Sequence, residues 1–167
     1  MILSKILKKT FLVMVFGLVV TACATKTTTT SPAKLGSQIQ GDVFVGTDTV
    51  GELAKGVPDR VFFATNESIL TTASRETLRA QAAWLRKNSN INVVLEGHAD
   101  ERGTREFNLA LGERRANAAR DYLMTYGISG KRISVISYGK ERPVNTESTP
   151  LAWSQNRRSV TVKVKFS

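Results

Sequence analysis

The chain has 167 residues, 41% hydrophobic and 23% charged, with 24 Lys and Arg against 14 Asp and Glu, for a formal net charge of +10. That is room for one ordinary domain with extensions, and a single cysteine excludes an intramolecular disulfide. The basic balance suits nucleic acid, anionic lipid or an acidic polymer, and charge alone does not choose among them.

Residues 1–22 read as a cleavable export signal. Lys5, Lys8 and Lys9 precede an apolar run from Phe11 to Val20. That run is about half of the roughly 20 residues a membrane-spanning helix needs. Removing the segment takes three lysines and no acids, so the net charge falls to +7. Residues 23–57 then read as a tether. Its Thr-, Ser- and Gly-rich start buries too little apolar surface to order itself. About 33 such residues span roughly 30 Å root-mean-square and at most about 110 Å. Val43-Phe44-Val45 is an apolar island within it, suited to docking on another surface.

Residues 58–167 carry the pattern of one compact domain. Val61-Phe62-Phe63 is a short strand. Thr71 or Thr72 can cap a helix that carries Leu78, Ala82 and Leu85 at helical spacing, has Glu76 in its first turn and ends near Asn88. Ile91 to Leu95 is a strand whose continuous apolar run predicts burial on both faces. A second helix runs from about Glu106 to Tyr126, with Gly112, Ala116, Ala119 and Leu123 as its packing stripe and Gly127 as its stop. Arg115 falls on an adjoining stripe, at the helix edge. Ile133 to Tyr138 is a third strand, and Ser148-Thr149-Pro150 is a helix start with proline at the first position. Val160 to Phe166 alternates strictly, which predicts a strand with one wet face. The order predicts an α/β fold, with two long helices and one short one packed on a four-stranded sheet that has some parallel pairing.

Two segments carry the chemistry. Glu96-Gly97-His98-Ala99-Asp100-Glu101-Arg102-Gly103-Thr104 brings an acid to the end of a strand. Asn108-Leu109-Ala110-Leu111-Gly112-Glu113-Arg114-Arg115-Ala116 projects an arginine from the following helix. Asp100 can accept from an ammonium, and the planar fork of Arg115 can hold a carboxylate. The residues alone leave two readings open: a cleft for a zwitterion, or an Asp100–Arg115 bridge that pins the loop. Asn108 is expected to cap or bond the loop and Leu111 to pack near the cleft. His98 lacks a cysteine, a second histidine or a glutamate at metal spacing, so no metal or cofactor is expected.

The pattern resembles the peptidoglycan-binding domain of the OmpA-like family over about residues 58–167. Ser137-Tyr138-Gly139-Lys140-Glu141 and Asn156-Arg157-Arg158 extend the match. The resemblance implies a two-layer α/β sandwich with a mixed sheet. It also implies that Asp100 and Arg115 bind the free end of diaminopimelate in the peptidoglycan stem peptide, with Arg158 as a second support. Many members carry Phe-Asp where this chain has Thr65-Asn66, so both residues join the candidate list. Val20-Thr21-Ala22-Cys23 resembles a bacterial lipobox, which would make Cys23 the lipidated first residue of the mature chain, and the following Ala24 suggests the outer membrane. The lipoprotein branch of the family further implies the Tol system as context, with a TolB-like partner and TolA-like or OmpA-like proteins nearby.

The expected function is therefore a non-catalytic link between outer membrane and wall, acting in envelope integrity and constriction at division. The alternatives are a wall-binding lipoprotein outside the Tol system and a peptidoglycan-modifying enzyme. An enzyme needs a nucleophile, a metal or a carboxylate pair with one raised pKa, and none is evident. A nucleic-acid module is disfavoured by the export signal and by the lack of an aromatic-basic platform.

Overall fold

The computed structural model describes residues 39–44 and 50–164. The expected signal peptide, the lipobox cysteine Cys23 and the start of the tether lie outside the described residues, as do the last three residues. Within the stretch read as tether, two short hairpins form. β1 (Ile39–Gln40) pairs antiparallel with β2 (Val43–Phe44). The turn between them is Gly41-Asp42, with φ at Gly41 of +66°. A glycine with positive φ at the first central position is what a two-residue hairpin turn of this hand requires. β3 (Glu52–Ala54) pairs with β4 (Val57–Pro58).

The main sheet has the order β5 (Arg60–Phe62), β8 (Arg158–Lys163), β6 (Val93–His98), β7 (Ile133–Gly139). β6 and β7 run parallel, and the other two pairings are antiparallel. The last strand thus inserts between the first and second. α1 (Thr72–Lys87) and α2 (Arg105–Thr125) pack against one face, and α3 (Pro150–Asn156) leads into β8. This is the expected two-layer sandwich.

Each helix start has a local cause. Thr71 accepts from the amide of Ser74, Thr104 from Phe107 and Thr149 from Ala152, each satisfying an amide the helix leaves open. Pro150 follows Thr149 at the first helical position, where its missing N–H costs nothing. The end of α1 is closed from outside. Arg132 donates to the carbonyls of Leu85, Asn88 and Ile91, which consumes terminal acceptors with a cation.

Between sheet and helices, Val61, Phe63, Leu78, Ala82, Leu85, Val93, Leu95, Ala116, Ala119 and Leu123 form one buried cluster. Each fully buried Leu or Phe side chain contributes about 1.5–3 kcal/mol relative to exposure. Gln81 is a buried polar residue at this interface. Its amide donates to Pro58 O at 2.7 Å and accepts from Thr161 at 2.7 Å, tying α1 to β4 and β8. At Gly97 and Gly112 the backbones of β6 and α2 meet directly: a Cβ on Gly97 would lie 1.8 Å from Gly112 O.

Three local expectations change. Glu76 is the fifth residue of α1, so it sits beyond the first turn. β6 alternates between buried and half-buried, because Val94 and Glu96 face the side of the sheet away from the helices. β8 is buried on both faces over Arg158 to Thr161 and wet only at its end, since it is an interior strand whose start is covered on both sides.

Candidate functional site

β6 ends at His98, and the next residues form a tight loop to α2. Lys140 holds the loop by donating to the carbonyls of Glu101 and Gly103, and Asn108 holds it by donating to Arg102 O at 2.8 Å. Asn108 thus has the expected loop-bonding contact, and Leu111 is buried one turn further along α2.

Asp100 sits in this loop, 7% exposed. Its Oδ2 accepts from Arg102 Nη2 at 2.7 Å and from Arg157 Nη1 at 3.3 Å, while Oδ1 accepts from the Arg102 amide and Nε. Burial, the largest single influence, raises the carboxyl, but the bonds from Arg102 and Arg157 outweigh it and leave Asp100 below the usual carboxylate value. The acid is therefore ionised at neutral pH and already shared between two cations. Its partners differ in setting: Arg102 is 41% exposed and stacks 4.3 Å over Trp153, whereas Arg157 is buried.

Arg115 is fully buried, not at an exposed helix edge. Its three nitrogens donate to Glu67 O at 2.8 Å, His98 O at 2.8 Å and Ala64 O at 3.1 Å. Ala64 and Glu67 flank Thr65-Asn66, so Arg115 fastens the β5–α1 loop to the end of β6. The Asp100–Arg115 bridge does not form: Arg115 pins a loop through carbonyls and not through Asp100. Burial, then Arg157, push the guanidinium down to about 9, which still leaves it charged at neutral pH. Asn66 in the pinned loop has φ +58°, a left-handed conformation that asparagine tolerates better than most residues.

Arg158 does not support this site. It donates to Asn156 O and Arg142 O and lies beside His98 on the opposite side of the sheet. Arg157 is the arginine that meets Asp100. Its Nε donates to Phe63 O at 3.0 Å, and its Nη2 donates to Asp42 O. The two arginines are adjacent at the start of a strand, so they point to opposite faces. The motif Asn156-Arg157-Arg158 marks the place, and strand parity decides which arginine faces the cleft.

Above Asp100 the surface opens into a pocket of about 200 Å³, lined by Gly41, Asp42, Thr65, Arg102, Pro150, Trp153 and Arg157. Arg115 and Asp100 lie behind this lining. Trp153 is fixed by donating to Glu101 Oε1 at 2.8 Å. No sequence signal marks Trp153 or Asp42, which lie 53 and 58 residues from Asp100, and Arg157 is marked only within the Asn156-Arg157-Arg158 motif. No group of three or more His, Cys, Asp or Glu suited to a metal occurs among the described residues, and no helix among them is long and apolar enough to cross a membrane.

Fold and cleft together define a two-layer α/β binding module, with an arginine-held acid at the mouth of its third sheet position and a buried arginine setting the facing loop. The sequence profile of the OmpA family matches residues 62–157, and the chain belongs to the OmpA family. It is 45% identical over 148 residues to a protein of Mesorhizobium japonicum named peptidoglycan-associated lipoprotein, covering 89% of this chain and 87% of that one. A second protein of that name, from Rhizobium meliloti, is 55% identical over 106 residues, covering 64% and 60%. Among solved structures, the peptidoglycan-associated lipoprotein of Burkholderia pseudomallei superposes with a TM-score of 0.62 at 33% identity, covering 64% of this chain and 90% of that one.

Proposed function

We propose that this protein binds peptidoglycan non-covalently through the cleft above Asp100 and is held by lipid on Cys23 at the periplasmic face of the outer membrane, so that it links that membrane to the wall. The observation that carries the reading is the cleft itself: Arg102 joins an ionised acid, Asp100, to the Thr65 side chain, Arg157 lines the pocket and bonds the same acid, and Arg115 holds the loop that carries Thr65 and Asn66. A diaminopimelate end carries an ammonium and a carboxylate on one carbon. Asp100 suits the first, and the amides and cations around Thr65 suit the second. Relatives named peptidoglycan-associated lipoprotein support the wall as the ligand.

The same cleft argues against bond breaking. A glycosidase needs a carboxylic acid held protonated, whereas Asp100 is held ionised by its arginines. Residues 1–22 act as the signal in this reading, 23–57 as the lipidated start and tether, and 58–167 as the wall-binding domain. The Tol system, with a TolB-like partner, is the proposed setting.

The test is co-sedimentation of the full chain, in detergent, with purified insoluble peptidoglycan. Wild type is compared with Asp100→Ala and Arg115→Ala, each checked by thermal melting for an intact fold, and free diaminopimelate is the competitor. Binding that is lost in the folded variants and blocked by the amino acid supports the reading. Binding indifferent to both, and weakened only by salt, would mean that a basic domain merely adheres to an anionic polymer.

A further inference from the structure

The cleft is not empty of chemistry even without a ligand, because a segment upstream of the domain reaches into it. The β1–β2 hairpin lies against the pocket and supplies two of its lining residues, Gly41 and Asp42. The Asp42 carboxylate Oδ2 accepts from the backbone amide of Thr65 at 2.6 Å. The same oxygen stands 4.0 Å from Arg157 Nη2, and the Asp42 carbonyl accepts from that nitrogen. The Thr65 amide lowers the Asp42 carboxyl most, with Arg157 adding to it. The hairpin is anchored a short way off by Phe44. That ring is 2% exposed and meets Phe62 edge to face, with centroids 4.7 Å apart.

A carboxylate on an amide, with a guanidinium alongside, is also the arrangement that would receive the carboxylate of a small zwitterion. Asp42 presents that group from the chain's own polypeptide. It does so loosely: its side chain is 49% exposed, whereas the arginine it meets is buried. An exposed, screened contact is easily exchanged for a better one. Being attached to the same chain, the hairpin acts at a high effective concentration that no dilution removes.

We propose that the Ile39–Phe44 hairpin is a built-in competitor for the wall-binding cleft, with the Asp42 carboxylate standing in for the ligand's carboxylate on the Thr65 amide and Arg157. The inference rests on the wall-binding reading above. Wall binding then requires release of the hairpin, and the affinity measured for the intact chain is reduced by the fraction of molecules in which the hairpin is docked.

Two variants of the full chain test this. Asp42→Ala removes the competing carboxylate, and Phe44→Ala removes the anchor without touching the polar cleft. If the hairpin is docked nine-tenths of the time, either change tightens peptidoglycan binding by about tenfold. Hydrogen exchange at the Thr65 amide, measured without peptidoglycan, speeds up in both. Wild-type binding to the wall with no gain in either variant, and Thr65 exchange unchanged, overturns the competitor and leaves the wall-binding reading standing. Failure of wild type and both variants alike to bind the wall overturns the wall-binding reading, and the competition with it.

Discussion

Arg157 reaches Asp100 across 57 residues of sequence, with its Nη1 3.3 Å from Oδ2, and both side chains are buried there. Arg157 also bridges to Phe63 O, so a single side chain joins the start of β8, the end of β5 and the loop after β6. Truncating one member of a buried charge pair leaves the other uncompensated and costs about 3–5 kcal/mol. Because the exposed Arg102 continues to hold Asp100, the lower end is expected for Arg157→Ala, read by chemical denaturation. Arg157→Lys, which keeps the charge but loses the fork, is expected to weaken peptidoglycan co-sedimentation at least tenfold. Arg158→Lys, whose side chain points to the other face, is expected to leave it near wild type. Equal loss in both lysine variants would contradict the assignment of Arg157 to the cleft.

Arg115 makes a second, separable prediction. Its guanidinium spends three nitrogens on three carbonyls, a set that the point charge of an ammonium cannot reproduce at the same three places. Hydrogen bonds to charged groups are worth about 1.5–3 kcal/mol each, and the buried acceptors then lack partners. Arg115→Lys is therefore expected to lower stability by about 3 kcal/mol and to speed amide exchange first at Thr65 and Asn66, the residues between the carbonyls it holds. Protection lost uniformly across the domain, with no lead at that loop, would count against a positioning role.

What was legible in the sequence follows the range of the forces involved. The helix starts at Thr71, Thr104 and Thr149 are local, because a cap needs only the next three residues; those at Thr71 and Thr149 were readable, whereas the second helix was placed from about Glu106 without its cap. The packing stripe Gly112-Ala116-Ala119-Leu123 was readable for the same reason. Where β8 lies in the sheet was not, since its alternation speaks of two faces and not of neighbours; insertion between β5 and β6 buried the start that alternation had left wet. For the cleft, the motifs pointed to Asp100 and Arg115. They did not say that Arg115 would face carbonyls or that Arg157 would displace Arg158. Those outcomes depend on which face a strand residue presents, and a shift of one residue reverses it. The docked island around Phe44 was visible as apolar residues in a polar tether, though its destination was not.

The contact between β6 and α2 sets a strict limit on Gly97. A Cβ there would lie 1.8 Å from Gly112 O and 2.4 Å from Gly112 C, and both are backbone atoms that cannot swing aside. Gly97→Ala therefore has to lift α2 off the sheet, which moves Arg115 and Asp100 together. Overpacking costs about 1–3 kcal/mol and occasionally more; the upper end or beyond is expected here. Gly41→Ala is the useful contrast, since nothing lies within 4 Å of its added Cβ and only the positive φ resists. Thermal melts of the two variants should separate clearly, with Gly97→Ala much the lower. Similar melting points would mean that α2 can shift on β6 at little cost.

His98 gives the fold a calculable weakness in mild acid. The ring is 2% exposed, and neither nitrogen has a hydrogen-bond partner among the described residues. Glu96 Oε2, at 3.7 Å from Nε2, is too distant to bond it. Burial, then Arg158, Arg60 and Arg142, push the imidazole down to about 3 from an ordinary 6.5. Between those values the unfolded chain binds a proton that the folded chain refuses, so stability rises with pH across the window. Above about 6.5 the contribution is complete; below it, stability falls by up to about 1.4 kcal/mol per pH unit from this residue alone. Denaturation midpoints of wild type should therefore drop steadily from pH 7 to pH 4.5. His98→Phe, which keeps a flat ring against Tyr138 and has nothing to protonate, should flatten that drop while changing stability at pH 7 by no more than about 1 kcal/mol. A variant that loses stability with acid as steeply as wild type would show that the proton is taken up elsewhere.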